Sequence, residues 1–306
     1  MQPVVAMALS AAFGWLCRHY RPPTVDSVNE IVRAPRRTGQ EMDEVIEKAV
    51  ERVIRAMHEH LGEPITIDDM ARTAMFSKFH FSRMFQRVTG ISPGRFLSAM
   101  RLQEAKKLLL STSLTVAEIS HQVGYNSIGT FSSRFRSSVG VSPTEYRQLG
   151  GYTHRLSTHV PRRDQGALSV QGHVWPPNSG QPGPIFIGLF PDRIVQGRPV
   201  RCTIRRSIGP FTIEDVPVGS WHLMAHAAPA DYDELHRAGV VDNQERFVAA
   251  HGPIVIRPDS TPRPVDLWLR PRCIFDPPVL LAPLDLRAVA YSTVVSVIGH
   301  RWPVAA

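Results

Sequence analysis

The chain has 306 residues, of which 43% are hydrophobic, and a formal net charge of +8. This length allows two domains of roughly 100–200 residues each, and the composition is that of a globular protein, not of a disordered or membrane-embedded one. The three cysteines, at positions 17, 202 and 273, are too few and too widely spaced to indicate a disulfide framework or a zinc site.

The amino-terminal segment 1–41 is expected to be a disordered leader; the alternative is a start codon assigned too early, with Met7 or Met42 as the true start. Its apolar stretch VVAMALSAAFGWLC is too short to span a bilayer and lacks a positively charged start, which disfavours a signal peptide. From Met42 to Leu61, apolar residues recur every three to four positions, which predicts an amphipathic helix. Gly62 and Pro64 are expected to end it.

Charge is unevenly distributed along the chain. Residues 42–69 carry 3 basic and 8 acidic side chains, whereas residues 70–148 carry 11 basic and 3 acidic ones. A basic segment favours an anionic partner, and nucleic acid is the first candidate.

The basic segment contains one twenty-residue pattern twice. SKFHFSRMFQRVTGISPGRF begins at Ser77, and SIGTFSSRFRSSVGVSPTEY begins at Ser127. The two copies are identical at seven positions when aligned without a gap. Average residue usage gives on the order of one match by chance.

Helix-start signals precede and open each copy. The capping-box patterns Thr66–Asp69 and Thr115–Glu118 predict short helices over 67–74 and 116–123. A serine then caps a second helix that a glycine ends. A continuous helix over 93–110 joins the two units, which together predict a helix-turn-helix pattern present twice. A plain helical bundle would share this outline and remains the alternative.

The amino-acid composition changes after Gly150. Residues 151–183 are rich in Pro, Gly, Ser and Arg, which predicts a linker, placed at 151–165, that leads toward the first strand. Residues 166–287 contain short β-like runs separated by turn residues, which predict an all-β sandwich; the runs are 168–174, 184–190, 198–204, 210–216, 220–227, 252–258 and 265–271. A helical insert is predicted over 232–251, and the tail 288–306 has no assignment. The expected fold class is therefore multidomain, with an all-α domain at 42–150 followed by a β-sandwich.

The segment 66–147 resembles the double helix-turn-helix domain of the AraC/XylS transcription regulators. The likeness lies in IDDMARTAMFSKFHFSRMFQRVTGISPGRF, in the RLxxAxxLL pattern that begins at Arg101, and in the VGY turn that ends at Tyr125. It covers about a third of the chain. It implies a DNA-binding transcription regulator, although the DNA-binding part here comes first and the second unit has Ser132-Ser133 where the family commonly has Ser-Arg.

The second half bears a fainter resemblance to transthyretin-like β-sandwiches, such as the regulatory domain of carboxypeptidases. LSVQGHV and PFTIEDVPVGSWHLMAHA carry this likeness. It implies a role in packing, dimer contacts or ligand binding.

Two helices about 34 Å apart on one frame can enter successive major grooves, where donor and acceptor patterns distinguish the four base pairs. The side chains expected to read bases lie off the phenylalanine face of each second helix: Lys78, Phe79, Ser82, Arg83 and Gln86 in the first unit, and Ser127, Gly129, Thr130 and Ser133 in the second. Arg83 is the best candidate for a bidentate contact to guanine. Core packing is the alternative for Phe79. The expected phosphate contacts are Arg87, Lys106, Arg134 and Arg136, each with a solvated basic face as its alternative.

Signals for catalysis are weak. The G-x-S-x-G pattern that begins at Gly90 follows a predicted helix, whereas the hydrolase elbow needs a strand before it. His222 and His226 lie on a predicted strand, where four residues span about 13 Å, too far for one metal. No nucleotide-binding loop is present, so we expect no cofactor. The predicted sandwich has no nucleophile-base cluster and no metal-ligand spacing, so we also expect no enzyme activity and no metal.

We therefore expect a cytoplasmic regulator whose partner is double-stranded DNA. RNA polymerase, a small-molecule effector and a second copy of the chain, bound through the β-sandwich, are further candidate partners; a membrane is not. The alternatives are an enzyme with a DNA-binding regulatory domain and a protein-interaction adaptor. The salt dependence of DNA binding distinguishes the adaptor from the regulator, because the DNA affinity of a protein that contacts phosphates falls steeply as the salt concentration rises.

Overall fold

The computed structural model describes residues 37–151, 168–178, 180–229, 247–258 and 262–282. Within these ranges the chain is helical up to Gln148 and forms strands from Val170 onward. No helix in the described ranges is both long enough and apolar enough to cross a membrane.

The described helices follow the predicted order. They are α1 (Arg37–Glu59), α2 (Ile67–Ala74), α3 (Lys78–Thr89), α4 (Pro93–Ser111), α5 (Val116–Gln122), α6 (Ile128–Val139) and α7 (Pro143–Gln148). The start predicted for the first helix was wrong by five residues, because the helix begins at Arg37, inside the expected leader. Residues 1–36 lie outside the described part.

Both predicted capping boxes form. The Thr66 N–H donates to the Asp69 carboxylate at 2.9 Å, and the Asp69 N–H donates back to the Thr66 hydroxyl at 3.2 Å. The matching distances between Thr115 and Glu118 are 2.7 and 3.2 Å. The first and last residues of each box thus satisfy each other's backbone N–H groups, which the start of a helix leaves unpaired.

These boxes predict an acid-sensitive term in stability. Hydrogen bonds from the side chain and backbone of Thr66 lower the pKa of Asp69, and those from Thr115 lower the pKa of Glu118. A carboxyl group with a lowered folded pKa stabilises the fold above its unfolded pKa of about 4, and this stabilisation is lost as pH falls. The double variant Asp69→Asn, Glu118→Gln should therefore lose less stability than the parent between about pH 6 and pH 3. Urea unfolding followed by circular dichroism at 222 nm measures this; equal losses in both proteins would contradict it.

Two aromatic clusters form the centres of the repeated units. Phe85 packs edge-to-face on Phe81 and Phe96, with ring centroids 5.5 and 5.4 Å away. In the second unit Phe135 lies 5.7 Å from Phe131 and 5.6 Å from Tyr146. All these rings are buried. The repeat in the sequence is therefore a repeat of the core.

Two arginines hold the segment that precedes each unit. Arg101 on α4 donates to the carbonyls of Leu61 and Glu63, at 3.0 and 2.6 Å, ahead of α2. Arg147 on α7 donates to the carbonyls of Leu109 and Leu114, at 2.8 and 2.6 Å, ahead of α5. Each guanidinium thus anchors the backbone that leads into the first helix of a pair.

The strands form two sheets. They are β1 (Val170–Trp175), β2 (Pro182–Phe190), β3 (Arg201–Arg205), β4 (Gly209–Ile213), β5 (Gly219–Pro229), β6 (Phe247–Ile256), β7 (Val265–Trp268) and β8 (Arg270–Pro271). One sheet has the order β4-β1-β7, with β1 and β7 parallel, and the other has the order β3-β2-β5-β6-β8. Apolar side chains from both sheets share one core, so the sheets pack face to face.

The helical insert predicted over 232–251 is wrong at its carboxyl end. Residues 247–251 belong to strand β6 and pair with β5 from Ala227 to Leu223. The rest of the predicted insert lies outside the described residues, as do most of the predicted linker and the tail. Burial of Phe247 and Ala249 on the sheet core outweighed the helix-like spacing of the sequence.

The β region packs on the helices through two connecting segments, 191–197 and 273–282. Ile194, Phe275 and Leu280 are buried in the helical core. The Gly197 N–H donates to the Ser138 carbonyl at 2.6 Å, and the Ala282 N–H donates to the Val139 carbonyl at 3.1 Å. These contacts hold the β region against the carboxyl end of α6.

Candidate nucleic-acid interface

The base-reading side chains predicted on α3 lie on its outer face. Lys78, Phe79, Arg83 and Gln86 are exposed, on the side opposite the buried Phe81 and Phe85. Phe79 is 83% exposed, so core packing, the alternative weighed for it, is wrong. The outer face of α3 thus presents two cations, an amide and an aromatic ring to solvent.

Two of these side chains on α3 make local contacts. The Ser82 hydroxyl, which is half-buried, donates to the Lys78 carbonyl at 2.9 Å and keeps only acceptor capacity for a ligand. The Lys78 ammonium lies 3.1 Å from the Asp68 carboxylate on α2. Both groups of this pair are largely exposed, so the pair is weak and can open for another anion.

The matching face of α6 is exposed and carries small side chains. Ser127, Gly129, Thr130 and Ser133 all face solvent. The Ser127 hydroxyl accepts the Thr130 N–H at 3.4 Å and so acts as the helix cap. Ile128, which sequence reasoning did not single out, is 44% exposed here and adds an apolar group.

The predicted phosphate contacts separate into two groups. Arg87, Arg134 and Arg136 are exposed on α3 and α6, and Arg87 lies 3.4 Å from Asp43 of α1. Lys106 is only 2% exposed, and its ammonium donates to the Val279 carbonyl at 3.2 Å. The assignment of Lys106 to a phosphate contact is therefore wrong for this structure, because the β region covers it.

The exposed faces of α3 and α6 remain open while the β region is docked. The β region reaches the carboxyl end of α6, where the carbonyls of Ser138 and Val139 accept its N–H groups. The side chains predicted to read bases begin at the amino ends of the two helices, at Lys78 and Ser127, and these two residues are exposed. Amino-terminal residues of a recognition helix are those that contact base edges.

Neither of the catalytic arrangements considered from the sequence forms. The segment from Gly90 to Gly94 lies between α3 and α4, so a helix precedes it and the hydrolase elbow is not formed. His226 is buried and stacks on Phe186 with centroids 4.9 Å apart. Among the described residues, no group of three or more His, Cys, Asp or Glu side chains is placed to hold a metal.

Burial raises the pKa of the Cys202 thiol to about 11, so this thiol is protonated at neutral pH.

The family described as a helix-turn-helix domain matches residues 70–149. This match begins inside α2 and covers the rest of both helix pairs and the helix between them. Residues 70–149 form a helix-turn-helix domain of the AraC type. The AraC-type domain therefore contains every predicted base-reading residue.

Curated relatives that are HTH-type transcriptional regulators are similar to part of this chain. YbfP of Bacillus subtilis, an uncharacterized HTH-type transcriptional regulator, is 26% identical over 168 residues, which are 54% of this chain and 55% of the relative. YisR of the same organism, another such regulator, is 35% identical over 95 residues, which are 31% of this chain and 33% of the relative. The chain thus spans about half of one relative and a third of the other.

Among solved structures, the DNA-binding domain of AdpA in complex with a target DNA is similar at 30% identity. The match covers 33% of this chain and 91% of that one, with a TM-score of 0.32.

Proposed function

We propose that this chain is a sequence-specific DNA-binding transcription regulator, in which α3 and α6 enter successive major grooves. The observation that carries the proposal is the repeated exposure of the outer faces of α3 and α6 above matching buried aromatic clusters. Its partner is double-stranded DNA, and RNA polymerase is the partner through which such a regulator would act on transcription.

The connecting helix supports a two-groove arrangement. Helix α4 has 19 residues, which at 1.5 Å per residue make it about 28 Å long. Successive major grooves on one face of the duplex are about 34 Å apart. A rigid rod of this length between the helix pairs is of the size needed to place one recognition helix in each groove.

The two recognition helices are expected to read DNA differently. Arg83 and Gln86 on α3 have the donors and acceptors for bidentate base contacts, and Phe79 can pack on a thymine methyl group. The small side chains on α6 allow close approach of the backbone and favour phosphate contacts and shape readout. We expect the half-site read by α3 to be the more strictly specified one.

An adaptor without DNA affinity and an enzyme with a regulatory DNA-binding part are the alternatives. The charge of residues 70–148, with 11 basic and 3 acidic side chains, favours DNA over a protein partner. The β region is proposed to bind an effector or a second copy of the chain.

The test is selection of the full-length protein on a randomised DNA library at two salt concentrations, together with Arg83→Ala. We expect a bipartite motif with half-sites one helical turn apart. Loss of one bidentate base contact should remove about 1–3 kcal/mol of discrimination at one position of that motif. Arg83→Ala should therefore relax that position while the other half-site stays unchanged.

Arg134→Ala is the matched comparison on α6. Loss of a phosphate contact should weaken binding to all sequences alike and reduce the salt slope by about 1. Arg206→Ala, in the exposed connection between β3 and β4, should change neither property. Binding without an enriched sequence would leave a non-specific clamp, and no salt-sensitive binding would overturn the DNA proposal.

A further inference from the structure

A cavity of about 590 Å³ lies where α1 and α4 meet the β region. Ile54, Phe96 and Met100 line it from the helices, and Phe247 and Ile274 line it from the β region. Small-molecule sites commonly have volumes of about 300–1,000 Å³ and often lie between domains. The size, the apolar walls and the position of this cavity are those of a ligand site.

Two buried polar atoms, in side chains that line the cavity, have no hydrogen-bond partner among the described residues. They are the side-chain carbonyl oxygen of Gln103, on α4, and the Nε of Arg272, just after β8. Buried polar groups are nearly always paired, because an unpaired one retains the full cost of losing water. One hydrogen-bond acceptor and one donor at the boundary between the helices and the β region are therefore without a partner among the described residues.

The carboxylates and the lysine on the lining already have partners. The Asp276 carboxylate accepts two hydrogen bonds from Arg270, and Glu104 lies 3.3 Å from Lys107. Arg272 contacts the Asp276 carbonyl through Nη2 at only 3.4 Å. The guanidinium of Arg272 is therefore the group on this lining best able to bind an anionic ligand.

We propose that this cavity binds a small apolar molecule that carries one carboxylate and one hydroxyl or amide N–H donor. The carboxylate accepts from the Nε side of Arg272, a geometry that guanidinium groups favour. The donor group bonds to the Gln103 carbonyl oxygen, and the apolar body packs against Phe96, Met100 and Phe247. Such a ligand contacts both regions, so its binding stabilises the docked arrangement.

The first experiment is calorimetric titration of the full-length protein with a panel of four probes. These are 3-hydroxyoctanoate and 8-hydroxyoctanoate, which differ in the distance between donor and carboxylate, with octanoate and octanamide as comparators. At least one hydroxy acid should bind about tenfold or more tightly than octanamide, because a charge-assisted hydrogen bond is lost in the amide. The affinity for octanoate should lie between that for the hydroxy acid and that for octanamide.

Two variants locate the site. Arg272→Gln should weaken hydroxy-acid binding about tenfold and leave octanamide binding unchanged. Gln103→Glu, which keeps the side-chain shape and adds a negative charge, should weaken the acids through repulsion. Arg206→Gln, on exposed surface away from the cavity lining, is the matched control and should have no effect.

Three outcomes would overturn the proposal: equal binding of acids and amide, unchanged acid binding in both variants, or no binding by any probe. None of these outcomes bears on DNA binding, because the titration contains no DNA.

Discussion

Replacing Phe85 by alanine is expected to lower the free energy of unfolding by about 3–5 kcal/mol. Phe85 is fully buried and packs edge-to-face between Phe81 and Phe96, which belong to α3 and α4. Its loss removes both aromatic contacts and leaves a cavity that the surrounding helices can only partly fill. Urea unfolding followed at 222 nm measures the change, since that signal comes mainly from the helices.

Phe79→Ala is the matched control for this prediction. Phe79 lies on the same helix but is 83% exposed, so its replacement should change stability by no more than about 0.5 kcal/mol. If the outer face of α3 enters DNA, Phe79→Ala should nevertheless weaken specific binding. Equal stability losses in the two variants would contradict the placement of these side chains. A stable Phe79→Ala protein with unchanged DNA affinity would remove Phe79 from the interface.

Removing the Asp276 carboxylate is the second change expected to have a large effect. This carboxylate accepts from both terminal nitrogens of Arg270, at 2.7 and 2.5 Å, and from the Cys273 N–H at 2.8 Å. Burial acts to raise the pKa of Asp276, but the bonds and charge of Arg270 outweigh it, so the pKa lies below its ordinary value. The folded state therefore holds this group ionised, and stability from it is lost as pH falls.

Asp276→Ala leaves the Arg270 guanidinium without its carboxylate. Breaking a buried pair by removing one partner costs about 3–5 kcal/mol, and partial exposure of Arg270 places the expected loss at the lower end. The segment 273–282 carries Phe275 and Leu280 into the helical core. The variant should therefore loosen the contact between the β region and the helices as well as reduce stability.

The comparison for this second change is Asp192→Ala. Asp192 pairs with Arg95 at 2.9 Å across the same boundary, but both side chains are 43–50% exposed. Exposed ion pairs contribute about 0.2–1 kcal/mol to stability, so the free energy of unfolding of this variant should remain close to that of the parent. Urea unfolding and the protease sensitivity of the junction both test the difference. A loss as small for Asp276→Ala as for Asp192→Ala would contradict the role of the buried pair.

The helical half could be predicted closely from the sequence because its signals are local. Capping boxes, serine caps and terminal glycines act within three or four residues, so the bounds of α2, α3 and α6 followed from short stretches of chain. The exposed outer faces of α3 and α6 followed from the same 3.6-residue period that buried the phenylalanines. The one weak boundary is the start of α1 at Arg37, because the preceding Pro35 and Arg36 are not N-cap residue types.

The presence of strands in the β region could be predicted from the sequence, but their pairing could not. Alternating apolar residues indicated strands, but neither the parallel pairing of β1 with β7 nor the extension of β6 back to Phe247 follows from them. Strand pairing depends on partners far along the chain, such as Gly172 and Val265, and local propensity in strands yields to that packing.

The sequence alone determined a duplicated basic helical domain and the residues on its two outer faces, because these depend on neighbours within one or two helical turns. Only the tertiary structure decided that Lys106 is buried beneath Val279 and that Arg272 and Gln103 line one cavity. The residues in these contacts are more than 160 positions apart. Their proximity comes from the docking of one region on the other, which no local pattern in the chain encodes.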